Sequence, residues 1–360
     1  MNNVYIHIGP PKSGTSAIQK WLNENREYLL TQHVYYPEHE LDENGVSSGN
    51  LLALFDATDP EVVFDDGKLE QLMHAFADSK AKTLLLSSEF FFKRIEVLAE
   101  KLPNAVFIGY LRFPLEVAES SYNQGVKRHG QTSAFGLPAT PRAYQLEILD
   151  RLIKNAGKER FVLRPYHESC FVGGNLVEDF LSQISVPAKN INQARINSSY
   201  TLEGLEFKRW FNQLTLDDLQ YDMDKFLQSD KVGVRDYSFV PPVVYEQFKT
   251  AFVEQITNFC NEHEVSDKDT FIAHCEHIQQ RPKMKQHIND TVFASMLNRF
   301  LQQPGVLRKV VVAYETHWKY QQPQKAPERL GIVRNALPIK ERMAFMLRKF
   351  VGNVKRVSSR

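Results

Sequence analysis

Cysteine is scarce in this chain: three among 360 residues, at Cys170, Cys260 and Cys275. An odd, scattered set excludes a disulfide framework and fits a reducing compartment. No Cys-x-x-Cys occurs. His263, His274, Cys275 and His277 group loosely on helical sequence without a second ligand pair, so no metal site is expected. Neither sign of charge dominates, with 44 basic and 43 acidic residues and a net charge of +1. That balance excludes a global polyanion-binding signature, and no nucleic-acid partner is expected. No run reaches the roughly 18 apolar residues of a membrane span. Met1-Asn2-Asn3 lacks the positive start of a secretory leader, and the apolar stretch after it is only strand-length. A cytoplasmic location is the expectation.

What is present begins at residues 4–22. Val4, Ile6 and Ile8 alternate with Tyr5 and His7, the period of a strand. Gly9, Pro10 and Pro11 stop it. Lys12-Ser13-Gly14-Thr15-Ser16 then leads into a helix with Ile18, Trp21, Leu22 and Leu29 on its apolar side. A strand, a tight turn and a helix start form an anion cradle, because the first helical N–H groups lack intrahelical acceptors and the dipole is positive there. The phosphate loop of ATPases and GTPases places its Lys directly after the second Gly. Here Lys12 precedes Gly14, inside the turn.

Further along, His33–Pro37 reads as a short strand, and Thr83–Ser87, Ala105–Leu111 and Phe161–Pro165 as buried ones. Helices are predicted over 17–30, 68–79, about 114–128, 141–155 and 175–183. Residues 38–66 read as a long polar loop suited to substrate binding, as do 123–140. Alternating buried strands and helices predict an α/β fold with a mainly parallel central sheet flanked by helices. Ligands of such sheets sit beyond the carboxyl ends of the strands, where Lys12, Glu89, Arg112 and Arg164 all fall. From about residue 200 the pattern turns helical, with helices predicted over 202–214, 243–264, 290–301 and 306–320. The domain expectation is a core at 1–200, a helical region at 201–328 and a tail at 329–360. The tail holds nine Lys/Arg and one acid, Glu341, with Ile339, Met343, Met346, Leu347, Phe350 and Val354 at helical spacing. It reads either as a membrane-surface helix or as an amphipathic helix docked on the core with a basic end.

The order Pro11-Lys12-Ser13-Gly14-Thr15-Ser16 resembles the 5′-phosphosulfate loop of sulfotransferases that use 3′-phosphoadenosine 5′-phosphosulfate (PAPS). Over roughly residues 4–200 the resemblance implies a P-loop-like sulfotransferase fold, with these six residues holding the 5′ end of the donor. In that family an Arg ends a later strand and a Ser follows eight residues on, the two binding the 3′-phosphate. Arg112 and Ser120 match, with Pro114 and Tyr122 in the usual places. A weaker match is Arg195-Ile196-Asn197-Ser198-Ser199, where relatives close a loop over the 3′-phosphate and adenine. The Lys-x-Gly of the glycosaminoglycan-type members is missing there, and a plain turn leading into a helix fits as well. Eukaryotic Golgi members carry a membrane anchor, so its absence points to a cytosolic, bacterial type, with contact at the inner membrane face left to the tail.

The resemblance implies Lys12 as the group that neutralises charge on the departing phosphate. For the base that takes the acceptor's proton, Glu89 comes first, beside Phe90, Phe91 and Phe92. His39 is second and His7 third, the last inside a strand. Ser88, Lys127 and Arg128 are candidate acceptor contacts, the cations suiting an acidic glycan or simply a helix C-terminus. The acceptor is expected to be a carbohydrate, with PAPS as donor and no metal. Two other readings stand: an ATP- and Mg²⁺-dependent kinase, and a non-catalytic glycan-binding protein of the same fold.

Overall fold

Strand β1 (Asn3–Gly9) is the middle of the sheet, and its sequence explains why. Val4, Ile6, His7 and Ile8 are all buried, so both faces of the strand are covered. The computed structural model describes residues 3–40, 47, 49–58, 61–189, 191, 200–321 and 327–358. Around β1 run β2 (Val34–Tyr35), β5 (Thr83–Ser87), β6 (Ala105–Leu111) and β7 (Phe161–Pro165), in the order β2-β5-β1-β6-β7. Every pairing is parallel: Val4 lies beside Leu84 on one side and Ala105 on the other. The fold class is therefore α/β with a five-stranded parallel sheet flanked by helices. The chain leaves β1 toward β5 on one side and β6 on the other, so the crevice beyond β1 is a topological switch point.

Helices α1 (Thr15–Glu24) and α7 (Leu176–Gln183) cover one face of the sheet. Ile18, Trp21, Leu22, Phe180 and Leu181 pack with Leu85, Ile108 and Tyr110 there. Phe107, the alternate residue of β6, turns to the other face against Phe161, with ring centroids 5.3 Å apart. The expected helix at 17–30 is two: α1, then α2 (Arg26–Thr31), broken at Asn25, whose side chain bonds Trp21 O at 2.8 Å. Residues 38–66 are less irregular than their polarity suggests. Gly49–Ala53 form a 3₁₀ turn, and β3 (Phe55–Thr58) pairs antiparallel with β4 (Glu61–Phe64). The hairpin is invisible in the alternation because Val63, opposite Asp56, is apolar yet 54% exposed, while Phe55, opposite Phe64, is buried. Helix α3 (Asp66–Asp78) starts two residues earlier than expected because Asp65 caps it, accepting from Lys68 N at 3.0 Å. A short helix, α4 (Ile95–Lys101), precedes β6, and α5 (Pro114–Arg128) and α6 (Tyr144–Ala156) follow it.

The remaining helices are α8 (Leu202–Phe211), α9 (Leu219–Ser229), α10 (Pro242–Glu262), α11 (Lys268–His277), α12 (Asp290–Leu301) and α13 (Val306–Ala313). After a π turn at Tyr314–Trp318 come α14 (Lys319–Gln321), α15 (Pro327–Ala336) and α16 (Ile339–Ser358). The chain forms two compact units, each discontinuous in sequence. One is Met1–Ala118, Pro138–Ile196 and Pro242–Gln279; the other is Glu119–Leu137, Asn197–Pro241 and Gln280–Arg360. These divisions differ from boundaries at 200 and 328. Helices α10 and α11 belong with the sheet because Phe252 meets Phe113, Gln255 bonds Ala143 N at 2.8 Å, and Asp267 pairs with Arg164. The second unit has its own core, built on Phe207, Phe211, Phe293, Phe300 and Trp318. No described helix is long and apolar enough to cross a membrane.

Candidate active site

The turn after β1 is shaped by positive backbone angles. Gly9, Lys12 and Gly14 all have left-handed φ, of 87°, 73° and 81°. A Cβ on Gly14 would overlap Leu176 Cδ2 and lie 2.8 Å from Tyr166 Cε2, so glycine is required sterically as well as conformationally. Lys12 has no such freedom, and a non-glycine residue in this region costs about 1–3 kcal/mol. Contacts within the first unit hold it. Arg112 Nη1 donates to Lys12 O at 2.9 Å, Gln145 Nε2 to Pro11 O at 2.9 Å, and Ser13 Oγ to Pro10 O at 2.5 Å.

Those carbonyls being tied, the loop turns its donors outward. No side chain caps α1. Among the described residues no acceptor meets the N–H groups of Gly14, Thr15 or Ser16. Thr15 Oγ1 is buried with no hydrogen-bond partner, in a residue only 4% exposed. An orphaned hydroxyl and three unclaimed N–H groups beside a lysine fit an oxyanion. Ser13 does not join this set. Its N–H and its hydroxyl both go to Pro10 O, so it shapes the loop.

Glu89 and Arg112 come to Lys12 because β5 and β6 are the two neighbours of β1. Burial holds the Lys12 ammonium below the usual lysine range; Glu89 pulls the other way, and Arg112 lowers it further. Arg112 is itself oriented by Glu116, which accepts from its Nε at 3.1 Å, and by Tyr166, whose ring it covers at 5.1 Å. Glu89 begins a 3₁₀ turn (Glu89–Arg94) capped by Ser88, whose hydroxyl accepts from Phe90 N. Ser88 is fully buried, so it builds the turn under Glu89. Phe91 and Phe92 are buried behind Glu89, while Phe90 is 44% exposed.

Sequence reasoning missed the residues that fix the end of β5. Asn50 Oδ1 accepts from Ser87 N at 2.9 Å while its amide donates to Pro37 O at 2.7 Å. Gln19 Nε2 donates to Ser87 O at 3.2 Å. Gly49 sits so close that a Cβ would overlap Ser87 O. His7 completes the clasp, its Nδ1 2.8 Å from Ser87 Oγ and its carbonyl accepting from Ser88 N. Gly49 and Asn50 fall in the stretch that reads as a long polar loop, and nothing in its local pattern names Ser87 as their partner.

The other candidates have surroundings of their own. His7 is fully buried among Phe180 and Tyr110, and burial drives its pKa to about 3, so it is a neutral core histidine. His39 bonds Ser47 Oγ at 2.5 Å and packs edge-on to Tyr36; burial lowers its pKa. Among the described residues no contact joins it to Lys12, Glu89 or Arg112. Arg164 corrects the convergence expected at the strand ends. It is buried within β7 and held by Asp179 at 2.6 Å, Asp267 at 2.5 Å and Cys170 O at 2.7 Å, so it serves the core. Ser120 is half-buried on the part of α5 that belongs to the second unit. In that unit Lys127 Nζ lies 4.3 Å from the Tyr200 ring centroid and Arg128 pairs with Asp224 at 3.3 Å. Both cations therefore have partners of their own. Asn197 and Ser198 fall outside the described residues.

Asp150, Glu262 and His263 bring three ligand-type side chains together, but Lys154 pairs with Asp150 and Glu262 and supplies their countercharge. The three cysteines are free and buried.

No family model and no curated protein matches the chain. Several solved structures are similar to it, two of them sulfotransferases. One is a sulfotransferase from Alicyclobacillus acidocaldarius, at 13% identity and a TM-score of 0.36, covering 74% of this chain and 97% of that one. The other is a sulfotransferase domain from the curacin biosynthetic pathway, at 14% identity and a TM-score of 0.31, covering 52% of this chain and 75% of that one. The chemistry proposed for this chain rests on its own residues.

Proposed function

We propose that this protein transfers a sulfuryl group from PAPS to a hydroxyl of a carbohydrate acceptor. The observation that carries the reading is Lys12. It is held inside the turn, ahead of Gly14, in a left-handed conformation, with Glu89 and Arg112 acting on its charge. The N–H groups of Gly14, Thr15 and Ser16 and the Thr15 hydroxyl would hold the 5′-phosphate. Arg112, oriented by Glu116 and Tyr166, would hold the 3′-phosphate with the charge a guanidinium never loses. Bound here, PAPS supplies a sulfuryl group on a phosphate leaving group. Lys12 neutralises the charge that builds on that phosphate. Glu89 accepts the proton of the acceptor hydroxyl.

Calorimetry with 3′-phosphoadenosine 5′-phosphate and with ATP·Mg²⁺ tests the reading. Tight binding of the bisphosphate, weakened about 100-fold or more in Lys12→Ala and in Arg112→Ala, supports it. Binding of ATP·Mg²⁺ without binding of the bisphosphate overturns it in favour of a kinase. Turnover of labelled PAPS over a panel of glycans then names the acceptor.

A further inference from the structure

Helix α16 presents two faces of different character. On one, Arg342 Nε donates to Glu315 Oε1 at 2.6 Å, its guanidinium lies over the Tyr314 ring at 5.3 Å, and Phe345 packs on the core of the second unit. That face is docked. On the other, Ile339, Met343, Met346, Leu347 and Phe350 recur at i, i+4, i+7, i+8 and i+11, which places them along one stripe. They are 73%, 60%, 46%, 63% and 69% exposed. Scattered exposed apolar residues need no explanation, but a continuous stripe of five large ones does. At 100° per residue, Lys340 falls beside Leu347 at one edge of the stripe, and exposed Lys349 lies about 60° past Met346 at the other.

The charge of the segment selects the occupant. Residues 329–360 carry nine basic residues and one acid, leaving 35 basic (44 less nine) and 42 acidic (43 less one) in the first 328. The positive charge of a nearly neutral chain is concentrated around its exposed apolar helix. A second copy laid stripe to stripe would bring these cations together. An anionic bilayer offers acyl chains to the stripe and negative headgroups to its borders. We propose that α16 seats this protein in the interfacial plane of an anionic lipid membrane, with Ile339, Met343, Met346, Leu347 and Phe350 as the inserted face. The inference is independent of sulfuryl transfer, since binding is read without donor or acceptor.

Co-sedimentation of the full-length protein with vesicles tests it. Binding is expected to phosphatidylcholine vesicles containing phosphatidylserine, and not to phosphatidylcholine alone. A Met343→Glu, Leu347→Glu, Phe350→Glu variant should lose about tenfold or more of the partition. Because these side chains are exposed, its thermal transition should match wild type. A Lys340→Gln, Lys349→Gln variant, which leaves the stripe intact, should lose about tenfold. No binding to the anionic vesicles, equal binding to neutral ones, or binding unchanged in both variants overturns the proposal. So does a concentration-dependent dimer, seen by light scattering, that the triple variant abolishes.

Discussion

Lys12 carries the sharpest residue-scale consequence. Burial, the largest influence, lowers its pKa; Glu89 opposes this and Arg112 adds to it. In the proposed role the protonated form holds an anion, so bisphosphate affinity should fall as pH rises through that depressed value, earlier than for a free lysine. Lys12→Arg should remove this alkaline limb, because a guanidinium stays charged. Glu89→Gln should move the limb to lower pH by deleting the opposing influence. Bisphosphate titrations across a pH series read both changes. His7 gives a stability counterpart. Its folded pKa of about 3 lies below its unfolded value, so the unfolded state binds the extra proton as pH falls below about 6.5. Stability should decline on that side by up to about 1.4 kcal/mol per pH unit. Urea midpoints of His7→Gln between neutrality and pH 5 should show a smaller slope than wild type.

At the scale of elements, the loop after β1 and the end of β5 are two halves of one device, and only the first is local. The strand–turn–helix is legible because its signals are adjacent: alternation over Val4–Ile8, the prolines, then a glycine whose left-handed angle and crowding by Tyr166 and Leu176 allow nothing larger. Gly14→Ala is expected to lower stability by about 1–3 kcal/mol and to abolish bisphosphate binding, read by urea unfolding and calorimetry. The end of β5 depends on Asn50, 37 positions before Ser87. Asn50→Ala leaves Ser87 N–H and Pro37 O buried without their partner. It should cost about 1–3 kcal/mol and lower turnover through the displaced Glu89, with bisphosphate affinity nearly unchanged. The hairpin at 55–64 escaped the sequence reading for a related reason. Val62, Val63 and Phe64 read as one apolar run, although burial alternates along β4 and puts Val63 on the exposed face.

For the whole molecule, the decisive fact is that the sheet unit draws on three stretches of chain. A fragment ending at residue 200 retains all five strands of the central sheet and the loop after β1 but lacks α10 and α11. It loses the buried Tyr245, Phe248, Phe252, Ile256 and Phe259, and Asp267 beside buried Arg164. Full burial of each such side chain contributes about 1.5–3 kcal/mol, and a domain's net stability is about 5–15 kcal/mol. The fragment is expected to be unfolded, with collapsed amide dispersion in its NMR spectrum and no cooperative melt.

The sequence alone determined the parallel α/β sheet, the strand–turn–helix around Pro11–Ser16 and the siting of Glu89 and Arg112 at strand ends. These depend on short-range periodicity and on steric rules for glycine and proline, which act within a few residues. Tertiary structure decided that β5 and β6 flank β1, which brings Glu89 and Arg112 to Lys12. It also decided that Arg164 is a buried partner of Asp179 and Asp267, that Asn50 anchors Ser87, and that the stripe on α16 faces outward. In each case the deciding partner is distant in sequence, and a charge, an amide or an apolar face reads the same locally whether it meets a ligand, the core or solvent.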